Sequence, residues 1–341
     1  MSFQRLIGQK ELKIRLKNEF MGTPPHACIF SGPKGIGKHE FAREYAKALM
    51  CSEPNEHGAC GKCNNCNYFE AGSHPDYIQI FDPSHKNIKV DDVRAKVISD
   101  VRICPQISKR KVYLIEGDEL NEAGENVLLK SLEEPPENVI FIIICEDSSR
   151  MLPTVLSRTV EFKLKNYSKG EIMEVLKKIN REKHEEKFTD EELTFTSEFS
   201  SGVIGKAIDL LGDEELPAMR DEMINLVTHI GSEDYATVLS KRYKYFDDNS
   251  SSVRELLLLL LWIIGDLSIL KKDKERKDII NSDKRMVLLK FLRDNPKVDM
   301  NRLSRASGHI HTVFKRMEVN ISSLYTINDM LLGLKKEFNN D

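Results

Sequence analysis

Residues 26–50, HACIFSGPKGIGKHEFAREYAKALM, decide the fold of this chain. They predict a short apolar strand, a glycine-rich loop and an amphipathic helix, which is the context that a phosphate-binding loop (P-loop) requires. Gly32, Gly37 and Lys38 fit the P-loop pattern of Gly, four free positions and Gly-Lys. The next position should carry the hydroxyl that binds Mg²⁺, and it is His39. The loop therefore has the shape of an ATPase site, but one of its chemical groups is missing.

Strand and helix patterns alternate on both sides of this stretch. Helical periodicity is present at 5–20, 38–50, 90–103 and from 123 onward, where Pro135 and Pro136 should stop the helix. Apolar strand patterns are present at 76–81, 111–116 and 138–147. Such alternation predicts an α/β domain in which helices flank a parallel sheet.

Beyond residue 165 only helical patterns follow. Capping boxes begin at Ser168 and Thr189, and Gly212 predicts the end of a helix. Residues 253–270 are apolar on nearly all sides, which predicts a helix buried among other helices. The sequence therefore predicts three domains, at 1–165, 166–212 and 213–341.

Composition limits the classes of partner. The 341 residues carry a net charge of −3, which argues against a surface coated with basic residues for gripping nucleic acid. The longest apolar run, 256–264, is too short to span a membrane, and the first residues lack the apolar segment of a signal peptide. We therefore expect a cytoplasmic protein without a membrane partner.

Residues 51–66, CSEPNEHGACGKCNNC, contain four cysteines at the spacing of a closed zinc site. The predicted ligands are Cys51, Cys60, Cys63 and Cys66. His57 and His74 are candidate substitutes, but four thiolates already fill a tetrahedral shell. Because such a shell leaves no position for water or substrate, we expect a structural Zn²⁺ and no zinc hydrolase. The alternative is a set of unligated surface thiols.

The remaining cysteines, Cys28, Cys104 and Cys145, lie in apolar or partly apolar stretches. Free cysteine packs as a small hydrophobic residue, so we expect all three in the core.

Several stretches together resemble one known family. They are FQRLIGQ (3–9), HACIFSGPKGIGK (26–38), the cysteine insertion, LLKSLEEPPENVIFI (128–142) and LPTVLSRT (152–159). In this order, over about the first 210 residues, they resemble the clamp-loader subunits of bacterial DNA polymerase III, which are AAA+ proteins. The resemblance implies an α/β P-loop AAA+ domain with a zinc-module insertion, a helical lid domain and an all-α collar domain for oligomerisation. It also implies a hetero-oligomeric ring with gamma/tau and delta subunits that places a sliding clamp on primed DNA.

The ATP-site positions of this family are altered here. The departures from an active site are His39, Glu116-Gly117 in place of Asp-Glu, Glu146-Asp147 at the sensor position, and Gly205, beside Lys206, in place of the lid arginine. A shifted pair, Asp118-Glu119, ranks second because it would place Gly117 inside the end of the strand. Hydrolysis needs metal, water positioning and cations together, so losing several of these should remove it.

Within the family, this pattern resembles delta-prime, the subunit that does not hydrolyse ATP. We expect no activity of the chain's own, but a place in an ATPase assembly and in a polymerase (nucleotidyltransferase) holoenzyme. Gly32, Gly35, Gly37 and Lys38 would bind nucleotide weakly or not at all. The glycines are equally well explained as residues that keep the turn foldable.

Arg158 follows Ser157 in a stretch that resembles the family's Ser-Arg-Cys motif, with Thr159 in place of the cysteine. The resemblance implies that Arg158 is an arginine finger, which stabilises the transition state of ATP bound to a neighbouring subunit. The alternative is a surface arginine in a salt bridge.

Two other functions each fit part of this sequence. An active gamma/tau-type ATPase would need Ser or Thr at position 39 and Asp-Glu at 116–117. A P-loop kinase with a zinc-bearing lid would leave the Leu-Glu-Glu-Pro-Pro stretch and the long helical region unexplained.

Overall fold

A computed structural model describes residues 3, 6–183, 187–213, 215–318 and 323–339. The chain divides into two compact units. The N-terminal unit comprises Met1–Lys183 with Ser200–Ile208, and the C-terminal unit comprises His184–Phe199 with Asp209–Asp341. The finer division at residues 165 and 212 stays a prediction.

A five-stranded parallel sheet forms the centre of the N-terminal unit. Its strands are β1 (Ala27–Ser31), β2 (Tyr77–Ile80), β3 (Lys111–Glu116), β4 (Val139–Cys145) and β5 (Val160–Lys163). Their order is β2-β3-β4-β1-β5, and every neighbouring pair is parallel. The predicted parallel sheet is confirmed, and β5 is a short edge strand that the sequence patterns did not reveal.

Helices precede, connect and follow these strands along the chain. They are α1 (Lys10–Met21), α2 (Lys38–Met50), α3 (Asn64–Glu70), α4 (Val90–Val93, continued by a π-helical turn at Arg94–Ile98), α5 (Glu122–Glu133), α6 (Pro153–Leu156), α7 (Lys169–Lys183), α8 (Asp190–Phe199) and α9 (Ile204–Leu210). The helix predicted to stop at Pro135 and Pro136 ends at Glu133, as expected, because Pro135 disfavours the helical conformation of the residue before it.

Apolar residues of β1, β3, β4 and α5 form the core on one side of the sheet, including Ile29, Tyr113, Phe141 and Leu128. On the other side, the rings of Phe30, Tyr45 and Phe162 pack with centroids 5.2–6.0 Å apart. Phe30 lies near the carboxyl end of β1, after which the predicted P-loop begins.

The cysteines predicted for the core divide into two groups. Cys28 and Cys145 are buried on β1 and β4, as expected. Cys104 is exposed, so that prediction was wrong. The helical segment ends at Ile98, and Cys104 lies on the surface segment that leads into β3.

Both capping boxes are confirmed. The backbone N–H of Ser168 donates to Glu171 (2.9 Å), and that of Glu171 donates to the Ser168 hydroxyl (3.3 Å). Thr189 and Glu192 make the same reciprocal pair at 2.8 and 3.2 Å. Gly212 has a φ of 97°, which suits a residue just beyond a helix end.

The described residues of the C-terminal unit are helical, as predicted. Beyond α8 the helices are α10 (Glu215–His229), α11 (Tyr235–Thr237, continued by a π-helical turn at Val238–Arg242), α12 (Tyr243–Asp248), α13 (Val253–Lys272), α14 (Arg285–Asp294), α15 (Met300–Glu318) and α16 (Ser323–Phe338). Helix α13 forms the centre, with Leu256, Leu260 and Ile264 fully buried. Among the residues that the structure describes, none of the helices is both long enough and apolar enough to cross a membrane.

Candidate functional site

The predicted P-loop connects β1 to α2, and its lysine makes hydrogen bonds to the backbone of the loop itself. Gly32, Gly35 and Gly37 have φ angles of 146°, 77° and 99°, which residues with side chains rarely adopt. The buried ammonium of Lys38 donates hydrogen bonds to the carbonyl oxygens of Gly32 (2.6 Å) and Pro33 (3.1 Å). The cation that would bind a nucleotide's phosphates is therefore bound to the loop's own backbone.

Carboxylates surround this single cation. Desolvation lowers the pKa of Lys38, while the negative charges of Glu146, Asp118 and Glu116 act in the opposite direction. A bound polyphosphate would therefore approach a lysine whose positive charge three nearby carboxylates already offset. This electrostatic environment disfavours an anionic ligand.

His39 occupies the position of the missing hydroxyl and is engaged by an acid. Its Nε2 lies 2.8 Å from Oε1 of Glu116, at the end of β3. The hydrogen bond to Glu116 raises the pKa of His39, although desolvation opposes the shift. Glu116, at the position where the family holds Mg²⁺ through water, is thus paired with a side chain of the P-loop helix.

Gly117 follows β3 directly and begins a 3-10 turn. A Cβ at this position would lie 2.8 Å from Cγ2 of Ile143 and 3.0 Å from the carbonyl oxygen of Ile144. Both distances are shorter than ordinary Cβ contacts, so β4 would have to shift to accommodate a side chain. The position where the resemblance implies a catalytic acid is therefore crowded by β4.

The two carboxylates of the shifted pair, Asp118-Glu119, have different surroundings, and only that of Asp118 acts on Lys38 of the loop. Asp118 accepts a hydrogen bond from the N–H of Glu146 (2.7 Å), and desolvation raises its pKa. Glu119 is buried, accepts a hydrogen bond from the N–H of Asp82 (2.6 Å), and lies 2.9 Å from Nδ1 of His85. Since Glu119 holds the segment after β2, only the first member of the pair acts on the P-loop cation.

Gly205 closes the tip of the P-loop. Its N–H donates to the carbonyl oxygen of Gly35 at 2.8 Å. A Cβ on Gly205 would lie 2.7 Å from that oxygen, and one on Gly35 would lie 3.2 Å from Cγ1 of Val203. The position where the resemblance implies a nucleotide-binding arginine is therefore occupied by a backbone-to-backbone contact.

The four cysteines predicted as metal ligands converge. Their sulfur atoms all lie within 4.8 Å of one another, with 3.8 Å between Cys51 and Cys63 and 4.0 Å between Cys60 and Cys66. Turns with φ angles of 102° at Gly58 and 74° at Gly61 bring them together. Cys63 also caps α3 by accepting the N–H of Cys66.

These positions fit a tetrahedral thiolate site. A zinc–sulfur distance of about 2.3 Å implies sulfur–sulfur distances of about 3.8 Å. Desolvation opposes thiolate formation at Cys63, but hydrogen bonds led by the N–H of Cys66 lower its pKa to about 6. Burial raises the pKa of Cys51 and Cys66, so a bound cation would have to favour the ionisation of these two thiols. The sulfur positions fit a closed four-thiolate metal site.

Arg158 lies just beyond α6 and is held at both ends of its guanidinium group. Nη1 donates to the carbonyl oxygen of Thr154 (2.8 Å) and to the hydroxyl of Ser157 (3.0 Å). Nη2 lies 2.7 Å from Oε1 of Glu133, and 32% of the Arg158 side chain is exposed. The residue is thus a surface arginine in an ion pair, as the alternative expects, and its donors also remain accessible to a neighbouring molecule.

Glu133 was not identified from the sequence. It lies in the Leu-Glu-Glu-Pro-Pro stretch, 25 residues before Arg158. The stretch itself marked the region as distinctive, but periodicity and spacing do not reveal which of its two glutamates faces an arginine from another helix.

Sequence comparisons relate this chain to subunits of DNA polymerase III. Residues 8–168 match the family described as DNA polymerase III, delta subunit. The chain is 36% identical over 212 residues to the DNA polymerase III subunit gamma of Buchnera aphidicola from Schizaphis graminum, covering 62% of this chain and 57% of that protein. It is 42% identical over 139 residues to the subunit delta' of Pseudomonas aeruginosa, covering 40% and 42%.

A third relative is the subunit tau of Escherichia coli, 37% identical over 185 residues, with 54% of this chain and 28% of that protein covered. Each of these three matches spans less than two thirds of the relative's length. Among solved structures, a DNA polymerase III gamma subunit-related protein of Thermotoga maritima matches with a TM-score of 0.41 and 16% identity, covering 96% of this chain and all of that one.

Proposed function

The chain belongs to the AAA+ family of bacterial DNA polymerase III clamp-loader subunits, and from this premise we propose that it acts as a delta-prime subunit. In this role it hydrolyses no ATP. It assembles with gamma/tau and delta subunits into a ring that places a sliding clamp on primed DNA. It contributes one arginine, Arg158, to the ATP site of a neighbouring subunit.

One observation supports the non-hydrolysing role above the others. Gly117 occupies the position of the acid that orients the attacking water, and a Cβ there would lie 2.8 Å from Ile143. A side chain cannot be restored at this position without moving β4. The ion pair between His39 and Glu116 and the acids around Lys38 act in the same direction.

The test is steady-state ATP hydrolysis with Mg²⁺, measured on the isolated chain. We expect no turnover, and none after His39→Thr, because the acid at position 117 is still absent. Turnover comparable to that of an active gamma subunit, abolished by Lys38→Ala, would exclude the delta-prime role. It would favour an active gamma/tau-type ATPase, which the similarity to gamma and tau relatives keeps as the second candidate.

We also propose that the cysteine cluster holds one structural Zn²⁺ through Cys51, Cys60, Cys63 and Cys66. All-thiolate ligation leaves no open position on such a metal, so it would stabilise the fold and take no part in a reaction.

A further inference from the structure

Only some of the N–H donors of the Arg158 guanidinium group have acceptors among the described residues. Such a group has five N–H donors. Nη1 uses both of its donors on Thr154 and Ser157, and Nη2 uses one on Glu133. Among the described residues, Nε of Arg158 and the second N–H of Nη2 have no hydrogen-bond acceptor. Two donors therefore stay available to an anionic ligand while the other three hold the group in place.

Glu133 is well placed to hold this orientation. It is the last residue of α5. Leu132, just before it, is buried, and Pro135, two residues after it, prevents the helix from continuing. The same helix contacts the segment before α6 at a second point, since the N–H of Leu152 donates to the buried carboxylate of Glu125 at 2.8 Å. The carboxylate of Glu133 and the turn that carries Arg158 are thus held by a common framework.

From this geometry we infer that Glu133 is a positioning residue for the arginine finger: its carboxylate orients the Arg158 guanidinium so that Nε and one N–H of Nη2 face a partner's phosphate. The inference rests on the proposed function, because it presupposes that Arg158 acts on ATP in a neighbouring subunit. Without Glu133, an arginine that is one third exposed would sample several rotamers, and the productive one would be populated less often.

The experiment measures ATP hydrolysis in a complex reconstituted from this full-length chain and purified gamma and delta subunits, with primed DNA. Arg158→Ala should lower kcat at the adjacent site by up to about 10³-fold. Glu133→Ala should lower it by about 5-fold or more, with KM for ATP unchanged, because only the orientation of the finger is lost. Glu133→Gln keeps an oxygen acceptor without the charge and should fall between Glu133→Ala and the native chain.

Glu134→Gln is the matched control. Glu134 is the adjacent residue and is also exposed, and no contact joins it to Arg158 in the described structure, so its kcat should stay native. The decisive measurement is the double variant: in the Arg158→Ala background, Glu133→Ala should cause no further loss. A residue that only supports the fold would add its own loss and lower the melting temperature.

The outcomes separate the two ideas. If Arg158→Ala lowers hydrolysis but Glu133→Ala does not, or if Glu133→Ala raises it, the positioning role is wrong and the finger stands. If Arg158→Ala itself leaves hydrolysis and clamp loading unchanged, both the finger and its positioning are wrong.

Discussion

At the scale of single residues, the zinc site proposed at the four clustered cysteines has the most direct test. Cys63→Ser removes one ligand, so we expect zinc content to fall well below one ion per chain. The melting temperature should fall with it, because metal binding contributes folding free energy. Elemental analysis and thermal unfolding of the purified protein measure both effects.

Cys104→Ser is the matched control, because Cys104 is exposed and lies outside the cluster. It should keep full zinc content and native stability. Full zinc occupancy in Cys63→Ser, or equal losses in the two variants, would show that the cluster is a set of unligated thiols.

His39 should titrate above its ordinary pKa of 6.5, because its hydrogen bond to Glu116 favours the protonated imidazole. A pKa raised on folding contributes stability that is fully present below the unfolded pKa and is lost as pH rises through the folded pKa. The contribution of this pair should therefore be fully present below about pH 6.5 and be lost as the pH rises through the raised pKa of His39. NMR titration of the His39 ring and urea unfolding between pH 5 and 8 measure these effects.

Glu116→Gln should bring the pKa of His39 down and flatten this pH dependence. If the pKa of His39 is the same in both proteins, the ion pair is absent in solution.

Spacing alone identified the loop glycines, Lys38 and the four cysteines, because each group is contiguous in sequence. It did not reveal that Lys38 binds its own loop or that Glu133 contacts Arg158. The first contact depends on the conformation of the P-loop, and the second on how α5 packs against the segment that follows α6. A local sequence pattern encodes neither.

Asp76, just before β2, shows how one side chain supports an element. It is fully buried and accepts hydrogen bonds from the N–H groups of Gln106 (2.6 Å), Ile107 (2.9 Å) and Ser108 (2.8 Å). Although desolvation opposes it, these N–H groups lower the pKa of Asp76. The carboxylate thereby holds the segment before β3 against the edge of the sheet.

Asp76→Asn should destabilise the protein by about 1–3 kcal/mol at pH 7, because the amide leaves buried N–H groups poorly paired. A depressed pKa contributes stability above the unfolded pKa that is lost as pH falls through the folded pKa. The difference between the native chain and Asp76→Asn should therefore shrink below about pH 4.

Asp92→Asn, at an exposed position on α4, should stay within about 0.5 kcal/mol of the native chain in the same urea titrations. Equal stability of the two variants at pH 7 would contradict the role assigned to Asp76.

Element boundaries followed the sequence where a local signal exists, as at the capping boxes and Pro135. The helix predicted over 90–103 instead ends in a π-helical turn at Ile98, and β5 is only four residues long. Neither has a cap, a proline or a long apolar run to mark it, so both depend on packing against the rest of the unit.

At the scale of the whole molecule, the alternating patterns were sufficient to predict the parallel sheet and the helical C-terminal unit. The strand order was not predictable, because it depends on which buried strands pair across long sequence separations. One contact within the C-terminal unit also has no sequence signature: Gly231 packs directly against the backbone of Phe338, at the end of α16.

Gly231→Ala should therefore destabilise the C-terminal unit by about 1–3 kcal/mol, since a Cβ at this position would overlap the carbonyl group of Phe338. Gly308→Ala, within α15, is the matched control: a Cβ there meets nothing within 4 Å, so alanine should be neutral or stabilise the helix by up to about 1 kcal/mol. Thermal unfolding measures both. The zinc content should stay native in each variant, and a loss of stability in Gly308→Ala equal to that in Gly231→Ala would contradict the contact.

The hydrogen bond from Gly205 to Gly35 has a consequence for conformational entropy. In a protein where nucleotide orders the segment above the P-loop, the entropy of that ordering is lost on binding and weakens the apparent affinity. Here the backbone orders residues 203–206 during folding, before any ligand arrives. The amide of Gly205 should therefore exchange slowly with deuterium in the isolated chain, at a rate that millimolar ATP does not change. We therefore expect nucleotide to leave the conformation of this segment unchanged.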